Sequence, residues 1–318
     1  MAYVARHADE ADPVRAWPGL AAVPAATVAT VPELVTKAAL VDGLRAVGIR
    51  PGDVVLVHSS LRSLGFVVGG AQAVVDALLE AVGRAGTVVV PTHSDAWSEP
   101  SHWDPKLPEG WFDTIRASMP PFHPRLTPTT RMGAVVECMR RYPGFRRSWH
   151  PRVSFGGIGP RIDEVLAEHA VPSGFGEQSP LGKLYAADAS ILLLGVGHAN
   201  SSALHLAEHR ALWPAKHWID QGAAMTVDGR ATWVTWRELD HDASDFAEIG
   251  AAIEDAGIES VASIGAATAR LVSVRAVVDL AVEWIETHRV EVHEDSFTPH
   301  PDTPARLGNQ QGASRLPS

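Results

Sequence analysis

The stretch ILLLGVGHANSSALHLAEH, residues 191–209, decides how this 318-residue chain is read. Residues 191–194 form a short unbroken apolar run, the mark of a strand buried on both faces. Gly195 and Gly197 break it, because glycine adopts backbone conformations that a side chain forbids. Asn200, Ser201 and Ser202 are N-cap residue types, and from Ala203 the spacing turns helical through Leu204, Ala207, Glu208 and Ala211. The stretch is therefore strand, tight loop, helix. His205 falls in the first helical turn, one step from Glu208 and His209. Two readings fit it: a ring satisfied in the core or on the helix surface, or a group at the carboxyl end of a strand, where open α/β sheets bind ligands.

Working outward, strands and helices alternate on both sides. Thr30 and Glu33 have capping-box spacing and open an amphipathic helix through Leu34, Ala38, Leu40, Leu44 and Val47 to near Gly48. A buried strand over 54–57 runs into His58-Ser59-Ser60, a helix spans 71–82, and a strand over 87–90 ends at Thr92-His93-Ser94-Asp95. Residues 96–131 are a Trp- and Pro-rich insertion without regular strands. A helix at 133–141, a strand at 153–155 and a helix at 161–169 lead to the central stretch. Beyond it, Asp228-Gly229 between alternating segments 223–227 and 232–236 predicts a hairpin. An acidic loop at 237–245, helices at 249–256 and 266–288 and a strand at 259–264 complete the reading. The expected fold class is α/β, a mixed central sheet with helices on both faces. One domain over 31–295 is expected, after a loose extension (1–30) and before a disordered tail (296–318).

Composition removes several function classes. A formal net charge of −10 disfavours nucleic-acid partners, since phosphate is repelled. No apolar run is long enough for a membrane span and no signal peptide is seen, so a cytoplasmic address is expected. Cys138 is the single cysteine, which excludes an intrachain disulfide and a multi-cysteine metal site. Fifteen histidines invite a metal reading. His205 and His209 have i, i+4 spacing, but the HExxH order is absent and no metal is expected. Ser59 and Ser60 follow a strand without a Gly-x-Ser-x-Gly elbow, and Walker and Rossmann glycine patterns are missing.

An ordered set of motifs remains. HSSLRSLG (58–65), VPT (90–92), TP at 127–128 with RMG (131–133), and S-x-HP-x-x-SF (148–155) come first. GE-x-SPLGKLY (176–185), LLGVGH (193–198) and LHLAE (204–208) follow. Over roughly residues 31–286 this series resembles the aminoglycoside 3-N-acetyltransferases, a family distinct in fold from the GNAT acetyltransferases. The loop before Leu204-His205 departs from the family's usual His-Asp-x-Asn-Thr-Ser/Thr. Here Ala199 takes the aspartate's place and Asn200 falls one position early.

The resemblance implies acetyl transfer from acetyl-CoA to the 3-amine of an aminoglycoside's deoxystreptamine ring, giving antibiotic resistance. It places coenzyme A against His58, Ser59, Ser60, Leu61, Arg62, Ser63 and Gly65, with Ser179 and Ser202. It makes His205 the general base, Glu238 and Asp240 the carboxylates serving base and sugar, and Asp95, Glu177 and Gln178 part of the antibiotic cleft. Residues 238 and 240 alternate on an extended segment, so their side chains face opposite ways; Glu238 is assigned to the histidine and Asp240 to the antibiotic. Glu208 is expected to support His205 or to cap a neighbouring contact, without touching substrate. His150 reads equally as structural or catalytic, and Trp97, Trp103 and Trp111 as packing residues ahead of a stacking role on sugar faces. The chemistry is coherent: an ammonium has no lone pair, and histidine titrates where it can remove the proton. A monomer or homodimer is expected. The alternatives are a coenzyme A-dependent acyltransferase for another amine, or a decayed cation-binding relative.

Overall fold

The computed structural model describes residues 34–290; the expected extension, the tail and the Thr30 cap lie outside them. Seven strands form one mixed sheet in the order β3-β4-β2-β1-β5-β9-β8. Its centre is three parallel strands: β1 (Val54–Ser59), with β2 (Thr87–Pro91) on one side and β5 (Ser190–Leu194) on the other. β4 (Phe155–Ile158) pairs antiparallel with β2, and β3 (Arg146–Arg147) with β4. β9 (Ala267–Ser273) pairs antiparallel with β5 and with the edge strand β8 (Ser260–Ile264).

The central strands are apolar on both sides because both faces are covered. Leu56, Ile191 and Leu193 point to one core, packed by α5 (Ile162–Leu166), α6 (Pro180–Ala186), α7 (Ala203–Arg210), α8 (Phe246–Asp255) and α9 (Val274–His288). Val55, Val57, Leu192 and Leu194 point to the other, packed by α1 (Lys37–Ala46), α2 (Gly70–Val82) and α4 (Ala134–Met139). The expected layering is observed.

Four expectations are corrected. The first helix begins at Lys37, capped by Thr36, whose side chain accepts from the Ala39 amide; Val35 instead bridges to Val67. The strand expected at 153–155 lies at Phe155–Ile158. Its glycines hid it, yet a Cβ at Gly157 would stand 2.1 Å from the Val88 carbonyl oxygen, so close pairing with β2 requires glycine there. The helix expected over 266–288 is a strand, β9, followed by α9. Gly265, at φ +60°, turns the chain from β8 into β9, and the Ser273 hydroxyl caps α9 by accepting from the Ala276 amide. Finally, the hairpin is longer than expected: β6 (Trp218–Val227) and β7 (Arg230–Leu239) turn at Asp228-Gly229, both with positive φ. This carries Glu238 out of the acidic loop and into a strand. The insertion contains two short 3-10 turns and one α-helix, α3 (Phe112–Ser118), and its Phe122 amide donates to Ala224 of the hairpin.

Candidate active site

Because β1, β2 and β5 run parallel, their carboxyl ends meet at one edge. β1 delivers His58, the residues after β2 deliver His93, and the loop after β5 leads into α7 and His205. Gly195 makes the meeting close: at φ +70°, a Cβ there would lie 2.7 Å from the Ser63 Cβ. The Ser60 amide donates to the Leu194 carbonyl, tying the two loops together. A cavity of about 220 Å³ results, lined by His58, Ser59, His93, Arg131, Ser202 and His205, among others.

His205 is held by a carboxylate and three rings while one side faces the cavity. Its Nδ1 lies 2.6 Å from Glu208 Oε2, and Glu208 is completely buried. A carboxylate can only accept, so Nδ1 carries the proton and Nε2 keeps a lone pair. Glu208 Oε1 takes the Asp242 amide at 2.9 Å and Arg289 Nη1 at 2.8 Å. Arg289, just past α9, also binds Asp245 and lies over Trp213. Phe175 stacks on the His205 ring at 4.5 Å and 15°, while Phe246 and His241 pack against it at 4.9 Å. The arrangement, an imidazole with a fixed tautomer and an orienting carboxylate, is one that can act as a base.

That carboxylate is not Glu238, contrary to the sequence expectation. Glu238 is fully buried and paired with Arg152, Nη2–Oε1 2.9 Å and Nε–Oε2 3.1 Å. The extra strand length of β7 turns it toward Arg152, whereas the i+3 position on α7 gives Glu208 direct access to His205.

The neighbouring imidazoles are uncharged. Burial pushes His58 down to about 4, helped by His198 and His205 nearby, and its Nε2 accepts the Ser202 amide at 3.4 Å. His150 falls to about 3, again chiefly through burial, then through Arg152. Its Nε2 donates to the Val171 carbonyl and its Nδ1 accepts two amides, so its role is structural. Burial also holds His241 well below the usual range; its Nε2 lies 3.1 Å from His209 Nε2. His93 and His241 were not given roles from sequence, since nothing local marks their approach to His205.

A family profile described as aminoglycoside 3-N-acetyltransferase matches residues 56–286. The chain belongs to the aminoglycoside 3-N-acetyltransferase family. The SPbeta prophage-derived aminoglycoside N(3')-acetyltransferase-like protein YokD of Bacillus subtilis is 43% identical over 251 residues, 78% of this chain and 92% of that protein. Its crystal structure matches with a TM-score of 0.80 at 41% identity, covering 82% of this chain and 97% of that one. Aminoglycoside N(3)-acetyltransferase VIII of Streptomyces fradiae is 34% identical over 267 residues, 80% and 92% of the two chains. A structure of AAC-IIIb with CoASH matches at TM-score 0.73 and 30% identity, covering 80% and 97%.

In this aminoglycoside 3-N-acetyltransferase family member, the other singled-out residues divide. Ser60, Leu61, Arg62, Ser63 and Gly65 continue directly from the cavity wall; the Ser60 and Ser63 hydroxyls bond at 2.8 Å, and Arg62 is exposed. Ser179 is fully buried and caps α6 by accepting from the Leu181 amide, so its hydroxyl is already used. Glu177 forms a surface pair with Arg210 at 2.6 Å, and Gln178 borders a separate cavity with Trp149 and His169. Neither lines the His205 cavity. Asp240 pairs with His217 at 3.2 Å. Asp95 is half-exposed, its carboxyl pushed up by burial against the opposing pull of Arg152 and Arg131. Trp97 and Trp103 spend their indole N–H groups on Pro120 and Ser98 within the insertion, as packing residues. Trp111 is exposed.

Proposed function

We propose that this chain transfers acetyl from acetyl-CoA to the 3-amine of a deoxystreptamine aminoglycoside, in the cytoplasm. The observation that carries this reading is the His205–Glu208 pair on the wall of a cavity at the carboxyl edge of three parallel strands. His205 Nε2 removes a proton from the acceptor amine as its nitrogen attacks the thioester carbonyl. The C–N bond forms, the tetrahedral intermediate collapses, the C–S bond breaks, and the proton passes to the departing thiolate. Glu208 holds the imidazolium formed between these steps. His58, Ser59 and Ser202 border the thioester, and the loop through Gly65 follows the pantetheine, with Arg62 and Arg131 supplying positive charge for the phosphates. Asp95 attracts the cationic sugar.

A second reading rests on one observation. The carboxylates assigned to a polycation already have basic partners: Glu177 with Arg210, Asp95 with Arg131 and Asp240 with His217. An acceptor of lower positive charge suits that arrangement, making the chain an acyltransferase for another amine. One assay separates them: thiol release from acetyl-CoA with deoxystreptamine aminoglycosides and with monoamines. Aminoglycoside-dependent release and a 3-N-acetyl product are expected, with His205→Ala losing about 10²–10⁴-fold in kcat and retaining calorimetric acetyl-CoA binding. Faster release with a monoamine selects the second reading. No release with any amine overturns acetyl transfer.

A further inference from the structure

The mechanism above leaves the developing negative charge on the thioester oxygen without a partner, and His93 is an unused group on the same cavity wall. It lies two residues beyond β2, the strand beside β1, so its ring stands at the edge shared by His58 and His205. Phe155 and Phe175 contact the ring edge-to-face at 5.4 and 5.2 Å, and Phe175 is also the ring stacked on His205. One phenyl group thus sets the positions of two imidazoles. The His93 backbone is fixed too, its carbonyl accepting from the Thr130 amide at 2.8 Å.

The hydrogen-bonding state follows from the surroundings. His93 Nε2 is enclosed and has no hydrogen-bond partner among the described residues. Burial holds the ring well below the usual histidine range, and His205, Arg152, His58 and His150 around it act in the same direction. A neutral imidazole has one N–H. An N–H on Nε2 would be a buried donor left with no acceptor, and orphaned N–H groups are rarer than orphaned acceptors. The proton therefore belongs on Nδ1, the nitrogen left to face the cavity.

Building on the acetyl-transfer reading, we propose that His93 is a catalytic residue that donates a hydrogen bond from Nδ1 to the thioester carbonyl oxygen. When the amine attacks, the carbonyl π electrons move onto that oxygen, and the hydrogen bond strengthens as charge develops. No proton is transferred by His93. His205 alone exchanges protons, with the amine and then with the thiolate. The two imidazoles so divide the work, one an electrophile locked neutral and the other a base with a carboxylate behind it.

The test compares His93→Phe, His93→Asn and His93→Gln by steady-state kinetics and thermal unfolding. Phe keeps a ring but no donor; Asn places an amide N–H near the Nδ1 position and Gln near Nε2. We expect His93→Phe to lose about 10²–10³-fold in kcat, with KM for acetyl-CoA and acceptor changed less than threefold and the lower limb of the kcat pH profile unmoved. Asn should recover at least tenfold over Phe, and Gln little. Near-normal kcat in His93→Phe, or Gln outperforming Asn, overturns the proposal. If Phe fails to fold, the Asn–Gln order decides alone. Wild-type turnover keeps the two claims apart: an active wild type with an unaffected His93→Phe removes only this inference, while a wild type inert toward every amine removes the acetyl-transfer reading and this one with it.

Discussion

Glu208 and Glu238 are both fully buried carboxylates, and their different partners separate the effects of removing them. Glu208 holds His205 and Arg289, so Glu208→Gln is expected to lower kcat by about 10²–10⁴-fold, since the base loses its oriented tautomer. Glu238 holds Arg152, and breaking a buried pair leaves a charge uncompensated. Glu238→Gln should therefore cost about 3 kcal/mol of stability, the low end for such pairs because Arg152 stays partly exposed, while kcat changes only a few-fold. Denaturant midpoints and kcat on both variants check this. A Glu238→Gln enzyme of normal stability and abolished turnover would return it to the base. The sequence shows why one assignment was readable and the other was not. Glu208 is three residues from His205 on one helix face, a spacing that any helix brings together. Arg152 and Glu238 are 86 residues apart, and no local pattern records that they meet.

The loop elements matter through their closeness. At Gly195 a side chain would meet both a positive φ and the Ser63 Cβ, at the point where the loop after β5 supports the loop after β1. Gly195→Ala is expected to destabilise by about 1–3 kcal/mol and to raise KM for acetyl-CoA at least tenfold, with acceptor KM much less affected. Equal changes in both Michaelis constants would detach this loop from the cofactor. Gly195 was conspicuous in the sequence because it ends an apolar run. β9 was not: its alanines and single Thr lack the β-branched density of a strand, and only its ladders with β5 and β8 define it. Long-range pairing overrode local propensity there, as it did at the glycines of β4.

At the scale of the molecule, five histidines among the described residues (His58, His93, His150, His169 and His241) are held neutral by burial. Their folded pKa values lie below the ordinary 6.5, so between about 4 and 6.5 the unfolded chain binds more protons than the folded one. Stability is then fully present above pH 6.5 and is lost as pH falls through that window. His58 alone contributes on the order of 3 kcal/mol. Denaturant midpoints should hold level above pH 6.5 and fall steeply between pH 6.5 and about 4; a flat profile would mean these rings are hydrated. The count of histidines was plain in the sequence and suggested metal, whereas their enclosure depends on how the two cores close.

Arg289 also redraws the boundary of the working enzyme. The family profile stops at residue 286, yet the guanidinium on Glu208 Oε1 belongs to residue 289. A chain ended at residue 286 would retain all seven strands of the sheet and every residue named on the cavity wall. It would still lose the counter-ion behind the base. The support behind His205 thus reaches past the residues that the family profile matches, to a side chain outside the motifs.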